Sequence, residues 1–271
     1  MSSGTVSAKE IGKFDRLASR WWDPNGPMKP LHQMNPVRVA WILNVMAGQG
    51  APSAAGLDKG VDGSPSSVMT GSGVGGRSPA IAGRLTRILD VGCGAGLASE
   101  ALARHGHEVL GIDAAGQAIE AARAHAGQEG AEGPALRLTY RSCLAEDLAA
   151  EGLRFPVITA LEVIEHVPDP AAFVRVLASL LEPGGLLVLS TLNRTRRSWI
   201  VGKLGAEYVL RMLPVGTHDW KSFIAPAELA GMLRAAGLRV GPATGLLVDP
   251  LTRQWRTGRT MAVNYMMAGV R

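Results

Sequence analysis

The stretch ILDVGCGAG, residues 88–96, decides the fold of this chain. Its first four residues are a short apolar run with one acid, which predicts a buried parallel strand. Three alternate glycines follow, and they let the backbone turn sharply into a helix that begins near Leu97. Such a turn brings a ligand against bare backbone at the N-terminus of a helix. The stretch therefore predicts a strand, a tight turn and a helix, with a ligand site at the turn.

The spacing of the glycines narrows the class of ligand site. The dinucleotide fingerprint G-x-G-x-x-G needs a third glycine at position 97, where Leu97 stands. The chain has G-x-G-x-G instead, at Gly92, Gly94 and Gly96. Asp113 ends the second predicted strand, where an acid accepts hydrogen bonds from a ribose diol in doubly wound folds. Together these residues predict a nucleoside ligand, although Asp113 alone would also fit a surface acid that caps the next helix.

Strands and helices alternate along the chain after residue 84. This alternation predicts an α/β fold with a doubly wound, mostly parallel sheet. The predicted strands lie at 86–91, 109–112, 136–140, 157–161 and 186–191, with two late strands near 238–247 and 262–270. The predicted helices lie at 97–105, 115–128, 170–181 and 226–236.

The chain before the first strand divides into two parts. Residues 1–47 predict a helical extension, with one amphipathic helix at about 7–22 and a second that Asn35-Pro36 opens. We expect this extension to pack over the ligand end of the sheet. Residues 48–84 are a different kind of sequence, because 24 of the 37 are Gly, Ser, Pro or Ala and none is aromatic. They predict a flexible insertion that is silent in function.

The fourth predicted strand ends in LEVIEHVPDP, residues 161–170, which carries the candidate catalytic groups. Glu162, Glu165 and His166 follow the strand, and ligands lie across such strand ends in open α/β sheets. Two carboxylates and an imidazole suit a divalent cation such as Mg²⁺. His166 acting as a general base without metal is the alternative. The alternative with no role in catalysis is that Glu165 and His166 cap the helix that Pro170 begins.

The composition limits the cellular compartment and the kinds of binding partner that we expect. The chain has 271 residues and a net charge of +5, and no apolar run reaches the length of a membrane span. Two cysteines, Cys93 and Cys143, are too few for a disulfide framework, so we expect a reducing, cytoplasmic location without a signal peptide. Residues 193–221 carry six basic and two acidic side chains among apolar ones. This pattern predicts contact with an anionic surface, and a solvated helix face or a lid over the site are the alternatives.

Several motifs resemble those of the ubiquinone biosynthesis O-methyltransferases, a family of class I methyltransferases that use S-adenosylmethionine (SAM). The resemblance covers nearly the whole chain apart from 48–84. It rests on segments within the nucleoside-binding fold and, more specifically, on segments outside it: FDRLASRWWDPNGPMKPLHQMNPVR (14–38), LDVGCGAG (89–96), the run from Glu162, STLNR (190–194), GAEYVLRMLPVGTHDW (205–220) and VNYM (263–266).

The resemblance implies a set of site residues and partners. Gly92 and Asp113, with Gly94 and Gly96 of the same turn, would bind SAM, Arg38 would bind the carboxylate of its methionine moiety, and Leu161 would line the adenosine pocket. Eukaryotic relatives place a divalent metal at the positions of Glu162, Glu165 and His166. The family also implies an anionic-lipid contact through 193–221, and hence peripheral association with the inner membrane. Other enzymes of ubiquinone biosynthesis are further candidate partners.

The predicted activity is SAM-dependent O-methylation of a polyprenylated catechol or demethylubiquinol. A different small phenolic or lipid substrate is the nearest alternative. A nicotinamide oxidoreductase is disfavoured by Leu97, and a non-catalytic lipid-binding assembly subunit would not need the intact glycine turn and Asp113. Nucleic acid is disfavoured as a partner because the basic residues lie among apolar ones rather than along an open groove.

Overall fold

The computed structural model describes residues 8–48, 85–132, 135–195, 197–198, 222–249, 251–252 and 254–271. All but the first residue of the predicted insertion at 48–84 lies outside this part. So does most of the basic segment at 193–221, which means that the lipid-contact prediction falls largely on residues that are not described. Among the described helices, none is both long and apolar enough to cross a membrane.

A mixed sheet forms the centre of the fold and has nine strands within the described ranges, in the order β3-β2-β1-β4-β5-β9-β7-β8, with β6 also paired to β9. The first five strands pair in parallel, and the last four pair antiparallel. The strands are β1 (Arg87–Val91), β2 (Glu108–Asp113), β3 (Leu138–Ser142), β4 (Phe155–Leu161), β5 (Leu181–Leu192), β6 (Arg239–Val240), β7 (Thr244–Val248), β8 (Trp255–Gly258) and β9 (Asn264–Val270). The predicted fold class is confirmed.

Helices cover both faces of this sheet, and two of them precede it in the chain. They are α1 (Ala8–Leu17), α2 (Lys29–Met46), α3 (Leu97–Arg104), α4 (Gly116–Glu132), α5 (Ala145–Ala150), α6 (Pro170–Ser179) and α7 (Pro226–Ala235), with short 3₁₀ turns at Ala18–Arg20 and Ile164–His166. Successive strand residues point to opposite faces, so Leu89 packs in one hydrophobic cluster with α5, α6 and α7, and Ile88 packs in another with α2 and α3.

Several predicted boundaries were wrong, and the short helix α5 was not predicted. The second helix begins at Lys29 rather than at Asn35, because Pro30 occupies its first turn and Pro36 is tolerated inside it. The late strand predicted over 238–247 is two strands, β6 and β7, and β8 was not predicted. Strand β5 begins at Leu181, five residues before the predicted start, and its pairing with β4 jumps from Leu181 to Leu186. The intervening residues therefore loop out of the ladder without ending the strand.

The register of the parallel strands decides where the site forms. Asp90 lies opposite Gly111 of β2 and Thr159 of β4. The carboxyl ends of β1, β2 and β4 therefore lie side by side, and the loops that follow them open at one edge of the sheet. This is where ligands bind in doubly wound folds.

Candidate functional site

A cavity of about 320 Å³ lies at the carboxyl ends of β1, β2 and β4. This volume is at the lower end of the range for small-molecule sites. In the described part of the chain, its wall carries one arginine, Arg38, against five carboxylic acids: Asp90, Asp113, Glu146, Glu162 and Glu165. The wall is largely apolar and its charged groups are mostly acidic, which suits a ligand that carries positive charge, such as a sulfonium or an ammonium group.

The glycine turn after β1 forms the floor of this cavity. Gly92 and Gly94 have φ angles of +68° and +55°, in the left-handed region that glycine adopts at little cost. A Cβ on Gly92 would stand 2.4 Å from the Val163 side chain, and one on Gly94 would stand 2.3 Å from the Trp21 ring. Both positions therefore need glycine for backbone shape and for space.

Gly96 has a different task from the other two glycines. Its φ is +92°, and a Cβ would stand 2.1 Å from the Tyr140 hydroxyl. Gly92 and Gly94 line the cavity, whereas Gly96 is absent from its wall. The Cα position of Gly96 therefore faces Tyr140, and its direct role in cofactor binding stays a prediction. Its structural role is to begin α3.

Asp113 stands at the end of β2 and lines the cavity. One of its carboxylate oxygens accepts a hydrogen bond from the amide of Gly94 and the other from the amide of Ala115, both over 2.8 Å. Burial raises the pKa of this carboxyl, and the two amide donors oppose that shift. Each oxygen retains a second lone pair, so the held carboxylate can accept from the hydroxyl groups of a ribose.

Asp90 is a cavity residue that the sequence-based prediction of the site omits. Its carboxylate is 2% exposed and accepts hydrogen bonds from Ser99 over 2.6 Å and Thr159 over 2.7 Å. Burial raises its pKa, and the two hydroxyl donors and Arg38 lower it. The signal was present in the sequence, because an acid inside an apolar strand needs partners when it is buried.

Arg38, on α2, brings a guanidinium into the same wall. It is 3% exposed, and its Nη2 makes a long contact of 3.5 Å with the Asn35 carboxamide oxygen. Within the described residues, its Nε has no hydrogen-bond acceptor. Burial lowers the pKa of Arg38, while the charges of Glu162, Asp90 and Glu165 raise it. A buried guanidinium with an unused N–H is suited to hold a ligand carboxylate.

The segment 8–28 forms a cap on the open side of the cavity. Trp22 fastens this cap, because its Nε1 donates to the Ala95 carbonyl over 2.9 Å and its ring stacks on His125 with a centroid separation of 3.4 Å. His125 in turn contacts the buried carboxylate of Glu100 over 2.9 Å. The cap contributes apolar side chains to the cavity wall: Ile11, Phe14, Leu17, Trp21, Pro27 and Met28. The expected packing of the extension over the ligand end is confirmed.

Glu162 is the first residue after β4 and has a strained backbone. Its φ is +58°, and it is the only non-glycine residue with a positive φ in the described part of the chain. Such a conformation costs about 1–3 kcal/mol and persists where the surroundings enforce it. Its amide donates to the Ser190 carbonyl over 3.0 Å, and its carboxylate accepts from Ser190 Oγ over 2.9 Å. β5 therefore holds the strained residue against the cavity.

Glu165 and His166 lie in the 3₁₀ turn that follows, and both line the cavity. Burial and the neighbouring Glu162 raise the pKa of Glu165 to about 7, while His166 and a 2.8 Å hydrogen bond from Thr191 oppose the shift. The His166 ring stands edge-on to Phe14 of the cap, with centroids 5.4 Å apart and an interplanar angle of 88°. An imidazole and a carboxyl that titrates near neutral pH thus share one wall.

The three predicted metal ligands are not gathered around one point in this structure. Among the described residues, no group of three or more His, Cys, Asp or Glu side chains lies close enough to hold one ion. The reason is visible in the contacts, because Ser190 and Asn264 bind the Glu162 carboxylate and Thr191 binds that of Glu165. The donor types suit a divalent cation, and a cation held by all three groups stays a prediction.

The remaining predicted residues also lie at the cavity. Leu161 lines its wall beside Glu162. Cys93 and Cys143 line it too, and burial raises the pKa of both thiols, so neither is poised as a thiolate nucleophile. Cys93 is a small buried side chain within the glycine turn.

The similarity of the chain to known proteins identifies its family. A family model described as a methyltransferase domain matches residues 45–257. The ubiquinone biosynthesis O-methyltransferase of Cereibacter sphaeroides is 42% identical over 271 residues, which cover 100% of this chain and 98% of that protein. The chain belongs to the ubiquinone biosynthesis O-methyltransferases. Members from Ruegeria pomeroyi (42% identical, 98% and 97% covered) and Aeromonas salmonicida (40%, 100% and 98%) are similarly close.

Solved structures support the fold at lower identity. A crystal structure described as a SAM-dependent methyltransferase, possible histamine N-methyltransferase, from Thermotoga maritima aligns over 96% of this chain and 98% of that one. The TM-score is 0.53 and the identity 17%. At that identity the likeness establishes the shared methyltransferase fold, whereas the full-length relatives establish membership of the ubiquinone biosynthesis O-methyltransferases.

Proposed function

We propose that this protein transfers the methyl group of SAM to a hydroxyl of a polyprenylated catechol or quinol in ubiquinone biosynthesis. One observation carries the proposal: a single cavity joins Asp113, at the position of a ribose-binding acid, to the Glu162, Glu165 and His166 group. The names of the full-length relatives support the reaction class and the pathway.

Different residues along this cavity bind different parts of SAM. SAM supplies the methyl group on a positively charged sulfur. Asp113 accepts from the ribose hydroxyls, and Arg38 binds the carboxylate of the methionine moiety. Gly92, Gly94 and Leu161 form the surface against which the nucleoside packs. The acidic wall stabilises the sulfonium, because opposite charges attract strongly in a site that excludes water.

His166 takes the proton of the substrate hydroxyl. As the oxygen bonds to the methyl carbon, the carbon–sulfur bond breaks, its electron pair stays on sulfur, and the hydroxyl proton passes to the imidazole. An imidazole has an ordinary pKa close to the working pH, which favours this transfer. Thr191 and Ser190 fix Glu165 and Glu162 beside it, and these carboxylates stabilise the imidazolium that forms.

A divalent cation at Glu162, Glu165 and His166 stays a prediction, and one experiment separates it from direct proton transfer. Methyl transfer to a short-chain polyprenyl catechol is measured for the wild type with and without a chelator, and for His166→Ala. We expect the chelator to leave turnover intact and His166→Ala to reduce it by about a hundredfold or more. Loss of turnover with the chelator would support a metal at these residues. Full turnover both with the chelator and in His166→Ala would contradict the site assignment.

We further propose peripheral association with the inner membrane through residues 193–221. The proposal rests on their composition, since each cation near an anionic surface contributes about 1 kcal/mol. Arg194 pairs with Glu228 of α7, which ties the start of the segment to the fold, and Arg197 is exposed. Sedimentation with vesicles that contain anionic lipid, compared with neutral vesicles, tests it. Equal binding to both, or to neither, would contradict the proposal.

A further inference from the structure

We propose that Trp21 is an additional cofactor-binding residue, whose indole N–H donates a hydrogen bond to the carboxylate of the cofactor's amino-acid moiety. The inference rests on the proposed use of SAM and names the donor that acts beside Arg38.

The first support is that four backbone amides of the glycine turn already donate hydrogen bonds within the protein. The amides of Gly92 and Cys93 both donate to the Ile112 carbonyl, over 2.8 and 3.0 Å. The amide of Gly94 donates to Asp113, and that of Gly96 to the Cys93 carbonyl. Turns of this kind usually bind an anion through bare amides. Here these four amides are already used, so they leave a ligand carboxylate to other donors, among which are the buried side chains of the cavity wall.

The second support is the charge of the cavity wall. Its five carboxylic acids suit the sulfonium and ammonium groups of the cofactor, but they repel its carboxylate. Among the residues that the structure describes, Arg38 is the only lysine or arginine in this wall. A carboxylate can accept about four hydrogen bonds, and one guanidinium edge satisfies two of them. A neutral donor beside Arg38 therefore stabilises the anion where the surrounding charge opposes it.

The third support is the state of the Trp21 side chain. It is 6% exposed, it lines the cavity, and no described protein group accepts a hydrogen bond from its Nε1. A buried N–H without a partner costs about 1–3 kcal/mol. The neighbouring Trp22 shows the contrast, because its Nε1 donates to the Ala95 carbonyl. A ligand acceptor would remove the cost at Trp21.

The fourth support is that Trp21 and Arg38 converge on the start of α3. The six-membered ring of Trp21 lies over Gly94, with Cζ2 2.3 Å, Cη2 2.6 Å and Cε2 3.1 Å from where a Cβ would stand, and Nε1 is bonded to the last of these atoms. Asn35 donates to the Leu97 carbonyl over 2.8 Å and also contacts Arg38. His32 of α2 contacts the Trp21 carbonyl over 2.8 Å, so both donors belong to one packed unit.

The test compares two ligands that differ in the amino-acid moiety. S-adenosylhomocysteine carries the carboxylate and 5′-methylthioadenosine lacks it. Both are titrated by calorimetry against the wild type, Trp21→Phe and a Trp21→3-benzothienylalanine variant, in which sulfur replaces the N–H while the ring shape is kept. Trp41→Phe is the matched control. Trp41 Nε1 is also buried without an acceptor among the described residues, but Trp41 packs in the hydrophobic core on α2 and does not line the cavity.

We expect both Trp21 variants to weaken S-adenosylhomocysteine binding by roughly tenfold to a hundredfold, the value of a hydrogen bond to a charged group. Binding of 5′-methylthioadenosine should not change, and Trp41→Phe should affect neither ligand. Equal weakening of both ligands would overturn the inference, because the ring would then act only by packing. Unchanged S-adenosylhomocysteine affinity would overturn it as well. If the wild type binds neither ligand, the proposed function fails instead.

Discussion

The amide of Gly94 donates to the Asp113 carboxylate over 2.8 Å, so the glycine turn after β1 and the acid that ends β2 hold each other in place. Neither residue is positioned by its own element alone. This contact makes the predicted ribose-binding group rigid before any ligand arrives, and it suggests the first prediction.

Replacing Asp113 should abolish nucleoside binding. Asp113→Ala removes the acceptors for the ribose hydroxyls and for the Gly94 amide, so we expect S-adenosylhomocysteine binding to fall by at least about a hundredfold in calorimetry. Asp113→Asn is the matched control. It keeps one oxygen acceptor and should retain part of the affinity. Wild-type affinity in Asp113→Ala would show that the nucleoside lies elsewhere.

Gly96→Ala should destabilise the fold more than an equivalent glycine substitution nearby. Gly106 is the control, because its φ of +88° is similar but no described atom lies within 4 Å of where its Cβ would stand. Gly106→Ala should cost about 1–2 kcal/mol for the left-handed backbone. Gly96→Ala should cost roughly a further 1–3 kcal/mol, because its Cβ meets Tyr140. Urea unfolding measures both, and equal losses would contradict the proposed steric role of Tyr140.

The free energy of unfolding should depend on the ionisation of Glu165. Its pKa is about 7 in the folded protein and 4.5 as the reference value. The folded state therefore holds this proton more tightly, so the stability that it contributes is present below pH 4.5 and is lost as the pH rises through 7. The loss is on the order of 3 kcal/mol.

Glu165→Gln isolates this effect. It cannot ionise, so urea unfolding between about pH 5 and 8 should show a shallower decline in stability than the wild type shows. The difference between the two proteins is the quantity of interest, since other carboxyl groups contribute to both curves. Parallel curves would mean that Glu165 titrates at its ordinary pKa despite its burial.

The cap over residues 8–28 should loosen when its aromatic stack is removed. The Trp22–His125 stack contributes about 0.5–1.5 kcal/mol, so His125→Ala should speed amide hydrogen exchange in the cap by roughly two- to tenfold. His105→Ala is the control, because the ring of this exposed histidine hydrogen-bonds to the Ala101 carbonyl of the preceding helix, α3. Equal exchange in the two variants would show that other contacts fasten the cap.

The sequence predicts the parallel half of the fold well because its signals are local. The residues of β1, the glycine turn and α3 each follow from neighbours a few positions away, and the structure differs there by one residue at most. The late strands are less local. β9 pairs with β5, which lies far earlier in the chain. β8 has only four residues, and no short sequence pattern predicts its pairing with β7.

The candidate site shows the same division. Asp113 and the Glu162–His166 run were found because they follow predicted strands. The tasks of Gly96 and Trp21 were not found, because each depends on a residue that folding alone brings close: Tyr140 for Gly96, and Gly94 for Trp21. The strained backbone of Glu162 likewise has no signature in the sequence.

The most direct measurement is the product formed when the purified protein is incubated with SAM and a short-chain polyprenyl catechol. We predict a methyl ether on one ring hydroxyl, detected by mass spectrometry, with S-adenosylhomocysteine released in equal amount and both products lost in His166→Ala. If the protein binds SAM but forms no methyl ether on any polyprenylated catechol or quinol, the proposed reaction is wrong.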